Sequence, residues 1–347
     1  MSARWIIAVL LVAALPGWAQ NRGFAGLGSD SSGFALADPG YRFDFPRDHG
    51  THDAFRIEWW YLTANLRDAA GRDYGAQWTL FRSALAPDKP SDGWTSPQLW
   101  MAHAAVTTPD AHYLAERFAR DGIGQAGVTA APFDATIDDW RMRARPGSSG
   151  LEDLEITARG NDFAYELSAT AEGPLVAHGE NGFSTKGAAG QASHYYSQPF
   201  YNVSGRLALP EGEVEVSGQA WLDREWSSQP LDRTQTGWDW MALHLDDGRK
   251  LMAARVRGAT PFVFGSLITP DGQVQTLTDD DLSLRPGSAS PPVSWAVAVP
   301  AAGLDLSIEA VNPDSRMTTT VPYWEGPVRI SGSDAGRGYL EMTGYGR

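Results

Sequence analysis

Two short stretches carry most of the residues that could do chemistry. In GQAWLDREWSSQPL, residues 218–231, a strand puts Trp221, Asp223 and Glu225 on one face and Leu222, Arg224 and Trp226 on the other. SHYYSQP, residues 193–199, supplies His194, Tyr195 and Tyr196. An acid, an imidazole and two aromatics on neighbouring strands (Asp223, His194, Tyr196 and Trp221) make a candidate proton-transfer group. A third stretch, FRIEWWYL, places Glu58 and Trp60 on one face and Trp59 and Tyr61 on the other, with Arg56 on the Glu58 face. Each residue also has a plainer use. Asp223 is either a solvated or salt-bridged strand carboxylate or a buried acid facing an apolar cavity. Glu58 suits an ion pair with a buried arginine, and His194 suits a satisfied core position.

Other chemistries lack their signatures. There is no G-x-S-x-G elbow, no H-E-x-x-H and no cysteine-based metal spacing. RDHGTHD, residues 47–53, holds two His and two Asp, a composition that serves a metal or, in a polar Gly loop, turn chemistry. No Gly-rich phosphate loop leads from a strand into a helix. The expectation is a site with no cofactor and no metal.

The elements that position these residues read as β. Short apolar alternations recur between Gly, Asp-Gly and Pro-Asp breaks, as in LEITARG, DFAYELSATA, EVEVSGQAWLD and VRISG. LDDGRKL is a hairpin turn. The one stretch that reads as a helix is 111–122, and the Pro/Gly-rich 285–293 reads as a loop. The chain also repeats itself. WWYLTANLRDAAGRDYGAQWTLFR (59–82) parallels WDWMALHLDDGRKLMAARVR (238–257), and YYSQPFYNVSG (195–205) parallels YWEGPVRISG (323–332). VEVSGQAW (214–221) aligns with LEMTGYGR (340–347), so the second copy stops short of a counterpart to Asp223. Two related β-domains follow, 45–230 and 231–347, after a leader over 20–44. The first is longer and carries an insertion within 85–150.

Residues 1–19, with one arginine, an apolar run and small residues at 17 and 19, read as a secretory signal that is cleaved. The expected location is therefore periplasmic or secreted, with no transmembrane span. The net charge of −14 argues against nucleic acid or anionic membrane as partners. With no cysteine, an exported chain relies on its core rather than on disulfides. The 14 tryptophans suit an aromatic-lined site for a hydrophobic or lipid-like ligand as well as a large β-core.

FPRDHGTHDAFRIEWWYLTANL, SHYYSQPFYNVSGRL, GQAWLDREWSSQPL and GWDWMALHLDDGRKLMAARVR together resemble the carotenoid 1,2-hydratase (hydroxyneurosporene synthase) family. Its superfamily takes in AttH-like proteins, kievitone hydratases and fungal Diels–Alderases, and the resemblance runs from about residue 45 to 347. It implies an all-β fold of two tandem lipocalin-like (calycin) barrels packed together. It also implies cofactor-free addition of water to a C=C of an isoprenoid or similar substrate. The family pattern falls on His194, Tyr196, Trp221 and Asp223. Asp223 would protonate the alkene, Trp221 and Tyr196 would face the carbocation, and His194 would position or deprotonate water. Glu58, Trp59, Trp60 and Tyr61 are the expected substrate-binding residues. Two other activities fit the same fold: non-catalytic carriage of a hydrophobic ligand, and pericyclase-like folding of a polyene by shape.

Overall fold

The computed structural model describes residue 27 and residues 31–87 and 93–345, so the expected signal, 1–19, lies outside the described residues. Two antiparallel sheets, each nearly closed, make two lipocalin-like barrels. The first sheet holds β1 (Ile57–Arg67), β2 (Asp73–Ala84), β3 (Gln98–Thr107), β4 (His112–Arg120), β5 (Ala126–Ala130), β6 (Phe133–Ile137) and β7 (Trp140–Ala144). It continues through β8 (Asp153–Arg159), β9 (Ala164–Ala171), β10 (Val176–Ala177), β11 (Phe183–Thr185), β12 (Ala192–Leu209) and β13 (Gly212–Ser227). The second sheet holds β14 (Gly237–Leu245), β15 (Lys250–Arg257), β16 (Phe262–Ile268), β17 (Val274–Leu277) and β18 (Ser283–Pro286). Its remaining strands are β19 (Ser294–Val299), β20 (Leu304–Ala310), β21 (Arg316–Met317), β22 (Tyr323–Gly332) and β23 (Gly336–Thr343). Among the described residues, no helix is long and apolar enough to cross a membrane.

The strand orders match. The first runs β4-β3-β2-β1-β13-β12-β9-β8-β7-β6-β5 and the second β17-β16-β15-β14-β23-β22-β20-β19-β18. The hairpin β5–β6 has no partner in the second order and falls inside 85–150. Residues 111–122, expected as a helix, instead contain β4. It pairs with β3 from Thr107↔His112 to Leu99↔Arg120, and that ladder overrides the helix-forming Ala, Leu, Glu and Arg of HYLAERFAR. LDDGRKL does turn between β14 and β15, with Gly248 at φ +93°, a conformation that glycine adopts without strain.

Alternation sorts each strand onto two faces. Inside the first barrel sit Trp60, Leu62, Trp78, Tyr196, Leu222 and Trp226, and inside the second Met241, Leu243, Leu251, Trp295 and Leu306. A third cluster forms where the outer faces of the two sheets meet: Tyr61, Tyr195, Trp221, Trp240, Met252, Ile268 and Tyr339. Burial of each such side chain stabilises by about 1.5–3 kcal/mol, so this seam helps hold the two barrels together. Gly75 on β2 permits the close approach, since a Cβ there would lie 2.6 Å from the Tyr339 hydroxyl of the second barrel. Hydrogen bonds from Tyr61 to Glu325 (2.5 Å) and from the Trp240 indole to the Tyr195 hydroxyl (3.3 Å) cross the seam.

A buried carboxyl at the seam between the barrels

Asp223 is buried, and it faces the seam. It sits on the outer face of β13 with Trp221 and Glu225, flanked by Tyr61 of β1 and Ser197 of β12 in the ladder register. Three donors converge on its carboxyl. The Tyr195 hydroxyl donates at 2.8 Å, the Trp221 indole N–H at 2.6 Å, and the Ser197 hydroxyl in a short contact. Ser197 is bonded in turn to His178, whose Nε2 lies 2.7 Å from its Oγ and whose Nδ1 lies 2.9 Å from Ser266 Oγ across the seam.

What sets Asp223 apart from Glu225 on the same strand face is the lack of a cation. Its neighbour Glu225 is paired with Lys186 at 2.8 Å, whereas no ion pair reaches Asp223 among the described residues. Burial pushes the Asp223 carboxyl up to about 7, against the pull of its three donors, and the charge of Glu225 pushes the same way. Such a group exchanges its proton near neutral pH, as an acid catalyst must. Burial holds His178 neutral, down at about 3, with the charge of Lys186 acting in the same direction.

The second barrel supplies a counterpart that the sequence alignment missed. Asp223 pairs with Tyr61 and Ser197, and Glu341 on β23 pairs with Trp240 and Glu325 at the equivalent place. The structural equivalence thus matches 223 with 341, eight residues away from the alignment of VEVSGQAW with LEMTGYGR. Glu341 accepts a 2.5 Å bond from the Trp238 indole, and burial raises it to about 7, reinforced by the charges of Asp223 and Glu225. Glu325 is also pushed well above the carboxylate range, by burial and by Glu341.

The expected group divides between two faces. Trp221 and Asp223 face the seam, but His194 and Tyr196 point into the first barrel. His194 pairs with Trp226 and Tyr196 with Arg224, the opposite parity from Asp223. His194 lies over Tyr41, ring centroids 4.5 Å apart, and accepts a 3.3 Å bond from the Asp38 amide. Burial lowers it to about 4. The Tyr196 hydroxyl lies 2.7 Å from His49 Nδ1. In their place beside Asp223 stand Tyr195, Ser197 and His178. His178 follows the two-residue strand β10, and nothing in its local sequence, VAHGE, marks it.

The tetrad Glu58–Tyr61 divides in the same way. Trp59 and Tyr61 pack on the seam. Trp60 is core, its indole bonded to the His49 carbonyl at 2.8 Å, with the Arg224 guanidinium 3.9 Å from its ring. Glu58 is not free for a ligand. Its carboxylate meets Arg82 at 2.5 Å, Arg224 at 3.0 Å and His52 at 3.1 Å. Burial alone would raise Glu58, but Arg82, His52 and Arg224 together hold it well below the usual carboxylate range. His52 and Asp48 of RDHGTHD belong to the same network, 3.3 Å apart.

The AttH-like family model matches residues 36–345. Among solved structures, an AttH-type protein from Nitrosomonas europaea is 34% identical, covers 90% of this chain and 100% of its own, and superposes with a TM-score of 0.79. Kievitone hydratase from Nectria haematococca is similar at 13% identity, 90% and 95% coverage and a TM-score of 0.67. CghA, crystallised with Sch210972, is similar at 12% identity, 89% and 98% coverage and a TM-score of 0.52. At these identities the last two share the fold. No curated protein matches the chain.

Proposed function

This chain belongs to the AttH-like family, and from that premise we propose that it adds water to a C=C of an isoprenoid or other hydrophobic substrate, without a cofactor and with Asp223 as the acid. The observation that carries the reading is a fully buried carboxyl with no cation beside it, raised to about 7 and set among aromatic rings. The export signal expected over residues 1–19 belongs to the same proposal.

The chemistry follows from the side chains. Protonated Asp223 gives its proton to one alkene carbon, and the π pair becomes the new C–H bond. The other carbon is left as a carbocation. The rings of Trp221, Tyr61, Tyr195 and Trp240 pack around the site, and a desolvated cation over one of their faces would gain about 2 kcal/mol or more. Water adds its oxygen to the cation and then loses a proton, which returns to the Asp223 carboxylate. The product is an alcohol, and no electrons are exchanged with a second reactant. Ser197 and His178 link Asp223 to Ser266 and give that proton a hydrogen-bonded route. The Ser197, Trp221 and Tyr195 donors stabilise the carboxylate that forms on proton transfer.

The test is a pH–rate profile of hydration, with product mass as the readout. kcat/KM should fall above about pH 7 as Asp223 loses its proton in the free enzyme. A rate that stays flat from pH 5 to pH 9 would exclude Asp223 as the acid.

A further inference from the structure

A row of nitrogen groups crosses the second sheet on the seam face, and none of its members makes an ion pair among the described residues, although the charge of Asp247 acts on Lys250 and those of Asp73 and Asp246 on Arg337. His244 on β14 pairs with Lys250 on β15 and with Arg337 on β23, so the three share one face. His244 is 2% exposed, and neither ring nitrogen has a hydrogen-bond partner. Buried polar groups are nearly always satisfied, and an orphan imidazole marks a missing partner. Lys250 is 5% exposed and makes no ion pair among the described residues; its Nζ lies 5.8 Å from the Phe200 ring centroid. Arg337 likewise forms no ion pair there, and it lines a narrow cleft between the barrels with Asn65, Arg67 and Asp73. Burial lowers Lys250, against the charge of Asp247, and burial lowers His244, where the charges of Lys250 and Arg337 add to the effect.

The row adjoins the candidate active site. The His244 ring meets Trp221 edge-on at 5.9 Å, and the Trp221 indole N–H is bonded to Asp223. Two residues of strand separate Trp221 from Asp223, about 7 Å. We propose that His244 and Lys250, with Arg337 at the mouth, bind the oxyanion headgroup of an amphipathic ligand whose apolar chain runs along the seam past Asp223. The substrate class is then an unsaturated amphiphilic acid, not a pure hydrocarbon. The inference rests on the seam being the substrate site, but not on hydration taking place there.

Binding to the full chain tests it, read by tryptophan fluorescence with dodecanoate, dodecyl phosphate, dodecanol and acetate as probes. A charge-assisted contact sets the scale, about 10- to 100-fold in affinity. Dodecanoate or dodecyl phosphate should bind at least about tenfold more tightly than dodecanol, and the better of the two identifies the headgroup. Acetate should bind weakly, because it lacks the chain. Lys250→Met, which removes a buried cation without an ion pair and so should fold, should erase that preference and bring the anionic probes to the affinity of dodecanol. Lys250→Arg should retain it. Equal affinity for dodecanoate, dodecyl phosphate and dodecanol, no binding of either anionic probe, or a preference that survives Lys250→Met would overturn the proposal. Each of those results leaves the hydration assay free to succeed or fail by itself.

Discussion

Replacing Asp223 by asparagine should make the protein more stable at alkaline pH, by an amount the structure sets. The carboxyl stands at about 7 in the folded chain against an ordinary 3.8. A folded value above the unfolded one means that this group's stabilising contribution is fully present below pH 3.8. It is then lost as pH rises through about 7. At about 1.4 kcal/mol per tenfold difference in proton affinity, the loss amounts to about 4 kcal/mol. The asparagine side chain carries no charge, and its amide can still accept from Trp221 and donate to Tyr195 or Ser197. Wild type and variant should therefore unfold alike near pH 4, and the variant should be more stable by about 4 kcal/mol at pH 8. Urea unfolding followed by tryptophan fluorescence from pH 4 to pH 9 measures the difference. A gap that does not change with pH would mean that Asp223 titrates as an ordinary carboxylate and would refute the burial argument.

Three further outcomes are expected. Ser197→Ala removes a donor that favours the Asp223 carboxylate, so the alkaline limb of the kcat/KM profile should move to higher pH. Glu58→Gln strands Arg82 and Arg224 beside a neutral group and should lower stability by about 3–5 kcal/mol in urea unfolding. His194→Ala empties a packed aromatic position inside the first barrel, so its melting temperature should fall while kcat stays within about threefold of wild type; a loss of about 100-fold or more, the scale of general acid–base catalysis, would return His194 to the reaction.

The β-architecture was legible because period-two alternation and turn residues act over a few residues. The same alternation put Trp221 and Asp223 on one face, and the paired repeats pointed to two similar sheets. The strand at 112–120 was not legible, since its helix-forming residues are overruled by a ladder to β3 that only the fold creates. The partners of Asp223 were hidden for a related reason. Parity within SHYYSQP shows that His194 and Tyr196 share a face, but only the register with β13 says whether that face is the one Asp223 uses. A shift of one residue exchanges Tyr196 for Tyr195 and Ser197. Glu341 was missed through the same ambiguity, on an alignment displaced by eight residues. Glu58 could be read either way from sequence, and Arg82 and Arg224 decide it in favour of an ion pair.

The central claim is that Asp223 supplies a proton to a carbon–carbon double bond. The most direct measurement is mass spectrometry of wild type and Asp223→Asn side by side, each incubated with an acyclic carotenoid, an unsaturated isoprenoid acid and simple apolar alkenes. A product heavier by one water, formed by wild type and reduced by about 100-fold or more in the variant, is the predicted result. A ligand that binds both proteins and leaves both unchanged in mass would contradict the claim and make the chain a carrier.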